Sequence, residues 1–147
     1  MIIYKPSEIS TELLLDESYR TPLIICADSP RVIQKVRNSG FQTVNINTEL
    51  SRKLLQYNAK ERPVKIMDVL NSIATWKNSV YIDGFEMLFD PRYEIDVIKF
   101  FCEKARLINV AVKWPGTFTG SKLTYAEPEY IDYHEYDCDS YQIRIVQ

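Results

Sequence analysis

Only four glycines, three cysteines and one histidine occur among the 147 residues, and no apolar run approaches the roughly 18 residues of a membrane-spanning helix. With seven prolines beside those four glycines, a collagenous, disordered or low-complexity chain is excluded. Cys26, Cys102 and Cys138 are odd in number and lack paired spacing, which argues against a disulfide framework and a zinc knuckle. An excess of positive charge is missing too. The formal net charge is −2, the wrong sign for a protein whose main work is gripping nucleic-acid backbone, so nucleic acid is not expected as a direct ligand. Residues 1–15 have neither the basic start nor the apolar core of a signal peptide, so a cytoplasmic location without membrane contact is expected.

What is there is a chain 46% hydrophobic and 26% charged, without linker or internal repeat, which reads as one domain over residues 1–147. Residues 22–27 form a continuous apolar run too short for a globular helix, the pattern of a strand buried on both faces. Asp28-Ser29-Pro30 then supplies a cap and a first-turn proline for a helix with the stripe Val32, Ile33 and Val36, closed by Asn38-Ser39-Gly40. Further strands are expected at residues 41–46, 79–83 and 108–113. Helices are expected at about 7–18, capped by Ser7, and at about 47–58, 63–76 and 93–105. Strands alternating with helices predict a three-layer α/β fold around a mainly parallel sheet. After residue 116 the text becomes tyrosine-rich and alternating. Residues 122–126, 133–137 and 142–146 read as short edge or hairpin strands, a small antiparallel C-terminal extension.

Ligands of a parallel α/β sheet bind beyond the carboxyl ends of its strands, which gathers Asp28, Ser29, Asn47, residues 83–86 and residues 114–117 on one rim. The third strand, Val80-Tyr81-Ile82-Asp83, has the form of the second nucleotide motif of P-loop proteins, in which a buried strand ends in an aspartate that holds magnesium. The first motif, Gly-x-x-x-x-Gly-Lys-Ser/Thr, should follow strand one, because its glycines let backbone N–H groups wrap the phosphates while the lysine neutralises them. The chain offers Ala27-Asp28-Ser29-Pro30-Arg31 instead, with no glycine before Gly40. Asp28 brings a negative charge to the mouth and Pro30 removes an N–H donor. Ser29 and Arg31 keep the means to meet an anion at a helix N-terminus, although an ordinary strand-to-helix turn accounts for the same residues.

From Leu123 to Ile143 there is no Lys or Arg, while Glu127, Glu129, Asp132, Glu135, Asp137 and Asp139 are interleaved with five tyrosines. Aromatics among acids repel phosphate rather than stack nucleotides. They suit a basic protein partner, since tyrosine supplies a large contact area at low entropic cost, and Tyr125, Glu129, Tyr130, Asp132 and Glu135 are the candidate contact residues. A solvated acidic sheet edge is the other reading of this text. His134 lies near Cys138, but residues four apart on a strand are too distant to share one ion, so no metal site is expected. Arg52-Lys53 with Lys60 and Arg62 reads as a solvated helix face.

Three blocks carry a family resemblance: residues 45–55 (Asn-Ile-Asn-Thr-Glu-Leu-Ser-Arg-Lys-Leu-Leu), residues 82–91 (Ile-Asp-Gly-Phe-Glu-Met-Leu-Phe-Asp-Pro) and residues 123–128 (Leu-Thr-Tyr-Ala-Glu-Pro). In order and spacing over about residues 20–137 they resemble the BrxF family, the small P-loop proteins of type III BREX (bacteriophage exclusion) defence systems. The resemblance implies a compact P-loop ATPase fold, encoded beside a methyltransferase, a PglZ phosphatase-like protein and a large helicase-like component. Asp83 and Glu86 match the family's second-motif acids, whereas the glycine-rich loop typical of its members is replaced by residues 27–31.

That departure sets the expectation. Asp28, Ser29, Arg31, Asp83 and Glu86 would be the vestige of a nucleotide site, with no catalytic residue and no cofactor. The chain would then be a non-hydrolysing subunit acting through other BREX-type proteins or through self-association. The alternatives are an ATPase that binds ATP and magnesium through Asp83 and Glu86 with an unusual phosphate loop or a partner's residues, and a DNA-associated defence module.

Overall fold

The structure is a computed structural model and describes residues 1–73 and 78–147. Its strands are β1 (Ile2–Tyr4), β2 (Leu23–Ile25), β3 (Gln42–Val44), β4 (Ser79–Ile82), β5 (Asn109–Lys113), β6 (Thr117–Phe118), β7 (Lys122–Tyr125), β8 (His134–Asp137) and β9 (Arg144–Val146). Six of them form one sheet in the order β1-β9-β2-β5-β4-β3 with every pair parallel. The other three form a small antiparallel sheet, β6-β7-β8. The α/β architecture with its antiparallel annex is therefore as the sequence predicts.

The central strands are buried on both faces, and their side chains divide by the period of two. Ile24, Val80, Ile82, Val110, Val112 and Ile145 enter one core cluster, filled by helices α3 (Ile46–Leu54), α4 (Arg62–Asn71) and α5 (Val97–Ala105). Leu23, Ile25, Tyr81, Ala111 and Val146 enter the other, against α1 (Thr11–Leu15) and α2 (Pro30–Asn38). Helix starts follow side-chain chemistry: Ser29, Asn45 and Asp96 cap α2, α3 and α5 by accepting from Val32, Thr48 and Lys99 N–H groups.

Several boundaries differ from the sequence reading. The N-terminal helix expected at 7–18 is a 3-10 turn at Pro6–Glu8 followed by α1 alone, with Ser10 rather than Ser7 accepting from the Leu13 N–H. The strand read at 41–46 is shorter, because Ile46 already opens α3. Helix α3 ends at Leu54, short of the expected residue 58, and Leu55 just beyond it is 75% exposed. Helix α4 ends at Asn71, and the expected continuation to Trp76 falls outside the described residues. The helix expected from residue 93 begins at Val97. Asp90 instead caps a 3-10 turn at Pro91–Tyr93, and Glu94 turns the chain with φ of 52°.

The largest correction concerns the C-terminus. Residues 142–146 are not an edge or hairpin strand: β9 lies inside the parallel sheet between β1 and β2. The antiparallel annex is thus an insertion between β5 and β9 rather than a terminal extension. Arg144 interrupts an otherwise apolar run there, yet it is 6% exposed. Its guanidinium donates to the Thr21 hydroxyl at 3.1 Å and the Thr21 carbonyl at 2.8 Å and lies over the Tyr19 ring. The annex is fastened by Trp114, whose indole N–H donates to the Thr124 carbonyl at 3.0 Å.

Candidate functional site

The rim formed by the carboxyl ends of β2, β3, β4 and β5 is assembled as the topology requires, but its contents are divided. Asp28 and Asp83, both exposed, share an open cavity of about 470 Å³ with Tyr81 and with Arg37 of α2. Burial, and then the Asp83 carboxylate, push the Tyr81 phenol up to about 12. Ser29 and Arg31 lie on the other flank of α2, lining a separate hollow of about 280 Å³ with Lys35 and Ser7. Pro30 and Arg31, successive residues of the first turn of α2 that point about 100° apart, line one hollow each, so the helix stands between the two.

Glu86 belongs to a third place. Its carboxylate accepts from the Asn47 side-chain amide, and the Asn47 side-chain Oδ1 accepts from the Met87 N–H at 3.0 Å. The Asn47 N–H donates to the Gly84 carbonyl at 2.8 Å. Gly84 has φ of +76° and approaches the Asn45 side chain so closely that a β-carbon would fall 2.6 Å from its amide nitrogen. Asn45, Asn47, Gly84 and Glu86 therefore make a clasp that ties the β4 exit to the start of α3. The Glu86 carboxylate is held here by an amide.

Lys113, the last residue of β5, is the rim group the sequence reading missed. Its ammonium donates to the Ala27 carbonyl at 3.2 Å, so a cation stands between the tips of β2 and β4 and holds the loop that would have to wrap phosphate. The signal was available, since Lys113 is the first charge after the apolar run 110–112 at the end of a rim strand. Among the described residues no group of three or more His, Cys, Asp or Glu side chains could hold a metal ion. His134 instead stacks near Phe89 and Tyr136.

The tyrosine-rich segment separates into core and surface. Tyr136 is buried, and Tyr125 lies flat on Phe89, with centroids 4.0 Å apart and planes at 8°, in an aromatic group that includes Trp114 and Phe85. Glu129 is exposed, as are Tyr130 and Ile131 at 60% and 87%. Glu135 accepts from Lys122 across the β7–β8 pair and from the Tyr133 hydroxyl. Asp132 and Tyr125 line a third cavity, of about 610 Å³, which also takes in Glu86 and Met87. No helix among the described residues is long and apolar enough to cross a membrane.

Comparison of the chain with protein-family models, with curated proteins and with solved structures gave no match. The functional reading therefore stands on the residues and their arrangement.

Proposed function

We propose that this chain is a non-hydrolysing, P-loop-derived interaction subunit of a BREX-like antiphage system, working in the cytoplasm through contacts with other proteins. The observation that carries the reading is the dispersal of the five nucleotide-site candidates. Asp28 and Asp83 face one cavity, Ser29 and Arg31 another, and Glu86 a third while bonded to Asn47. A nucleotide site needs those groups to converge on one triphosphate and its magnesium, with several N–H donors and a lysine aimed at it. Two features support descent from a P-loop fold: strand β4, which Asp83 follows directly, is separated from the loop-bearing strand β2 by β5, an arrangement P-loop ATPases use, and the acid stands at the carboxyl end of its strand. The defence assignment rests on the three sequence blocks alone.

The rival reading, an ATPase with an unusual phosphate loop, draws on Lys113, the cation at the same rim. It requires that amine to leave the Ala27 carbonyl and Glu86 to leave Asn47. The test sets the rim against the acidic loop. Asp83→Asn should leave phage protection in a plaque assay intact, while reversal of the exposed Glu127 and Glu129 to Lys should weaken capture of the proteins encoded beside this one, in a salt-sensitive way. Loss of protection by Asp83→Asn in a folded protein, with capture unchanged by the reversals, would overturn the proposal.

A further inference from the structure

We infer that the groove between the Glu86–Phe89 turn and the loop at residues 126–133 receives the guanidinium of an arginine carried on an extended segment of a basic partner protein. This deepens the interaction reading and rests on it. The groove is the 610 Å³ cavity described above, within the size range of specific binding pockets. Its apolar part comes from Met87, Pro91 and the ring of Tyr125. Because Tyr125 gives one face to Phe89, the remainder of the ring is the platform that the groove offers, and a platform held by stacking is fixed before any ligand arrives.

Charge then selects what lies on that platform. Three carboxylates and one guanidinium line the groove. Arg92 is already spent on Asp90, which its Nε and Nη2 grip through both carboxylate oxygens. Among the described residues neither Glu86 nor Asp132 forms an ion pair, and both raise the Tyr125 phenol above its ordinary value, after burial itself. Two carboxylates beside an aromatic face fit a planar cation. Guanidinium stacks on the ring and donates to carboxylates through a fixed fork, which an ammonium cannot do.

The occupant is macromolecular because the apolar surface continues outside the groove. Ile131 stands 87% exposed on its wall and Tyr130 60% exposed beside it, while Glu127 and Glu129 extend the same negative field. A free small cation would leave these groups uncovered, whereas a peptide with an apolar residue beside its arginine covers Ile131 and keeps its backbone in the acidic field.

The test is a nuclear magnetic resonance titration of the full chain with acetyl-Gly-Arg-Leu-Gly amide. Controls carry lysine, or the neutral isostere citrulline, in place of arginine. The arginine peptide should shift the resonances of Tyr125, Met87 and Ile131, lysine should bind more weakly, and citrulline should fail to bind. Tyr125→Leu should weaken binding about two- to thirtyfold. Asp132→Asn, which keeps the side chain's size and removes its charge, should weaken it about two- to fivefold and reduce its salt dependence, with the folded state checked by the unperturbed resonances of β2 and β4. Equal binding by citrulline, shifts confined to other surfaces, or no shift at millimolar peptide would overturn the inference. So would groove resonances that move with protein concentration alone, because a second copy would then be the occupant. If the groove fails in these ways while reversal of Glu127 and Glu129 still weakens partner capture, the pocket falls and the interaction reading stands. If the reversals also have no effect, both fall.

Discussion

The Glu86 carboxylate accepts a hydrogen bond from the side-chain amide of Asn47, 39 residues earlier in the chain. The same asparagine accepts from the Met87 N–H, so one side chain satisfies both groups at the start of the 3-10 turn. Asn47→Ala should leave a half-buried carboxylate and a backbone donor unpaired, at a cost of about 1–3 kcal/mol. Glu86→Gln keeps an acceptor in place and should cost less than about 1 kcal/mol. Urea unfolding of the two variants checks the order. A large loss for Glu86→Gln alone would mean that the negative charge, not the hydrogen bond, matters here.

Weak nucleotide binding is expected from the loop after β2. With no glycine wrap and with Lys113 engaged on the Ala27 carbonyl, the protein lacks several charge-assisted contacts of about 1.5–3 kcal/mol each. ATP with magnesium should therefore bind no tighter than millimolar, without turnover above background. Isothermal titration is the check: a micromolar site abolished by Asp83→Ala would restore the enzyme reading.

Gly116 is where the annex touches the main sheet most closely. A β-carbon there would fall 1.8 Å from the Thr124 carbonyl oxygen and 3.1 Å from the Trp114 indole nitrogen that donates to that oxygen. Backbone cannot yield as a flexible side chain does, so Gly116→Ala should cost about 1–3 kcal/mol and loosen β7 first. Hydrogen exchange would show this as lost protection at residues 122–125 and 134–137 with β2 and β4 unchanged. Uniform loss across both sheets would instead make the annex part of the global unfolding unit.

Legibility in the sequence followed the distance over which information acts. The apolar runs of β2, β4 and β5 and the cap of α2 at Ser29 were readable because burial on both faces and capping are local. β9 was misread because Arg144 breaks an otherwise apolar run, and the groups that hold its guanidinium, Thr21 and Tyr19 among them, lie over 120 residues away. β1 was missed because three residues show no periodicity, and among the described residues it pairs with that same β9 alone. At the site, topology correctly gathered the rim, while the assignment of residues to one ligand failed to anticipate side-chain direction: α2 parts Asp28 from Ser29, and the 3-10 turn aims Glu86 at Asn47.

All three thiols should be inert in the native protein. Burial pushes Cys26 up to about 12 and Cys102 and Cys138 to about 11, so at pH 8 the reactive thiolate is scarce at each. Iodoacetamide should label none of them appreciably until urea unfolds the chain, with mass spectrometry reading the sites. Rapid labelling of Cys26 alone would reveal a local opening of the β2 exit.

The last prediction couples pH to the groove. Arg92 holds the Asp90 carboxyl below the ordinary value of 3.8, by hydrogen bonding first. A carboxyl whose folded value is depressed contributes stability that is fully present above the unfolded value and is lost as pH falls through the folded one. Asp90→Asn keeps an acceptor for the Arg92 N–H but gives up the charge, so its urea midpoint should fall less than that of the parent as the pH drops below about 4. The same substitution frees the Arg92 guanidinium beside Glu86 and Asp132, and so it should weaken the arginine peptide at neutral pH even though Asp90 itself is not its partner. An acid limb unchanged by Asp90→Asn would show that the pair is solvated away in solution. Unchanged peptide affinity in the same variant would show that the freed guanidinium does not pair with Glu86 or Asp132.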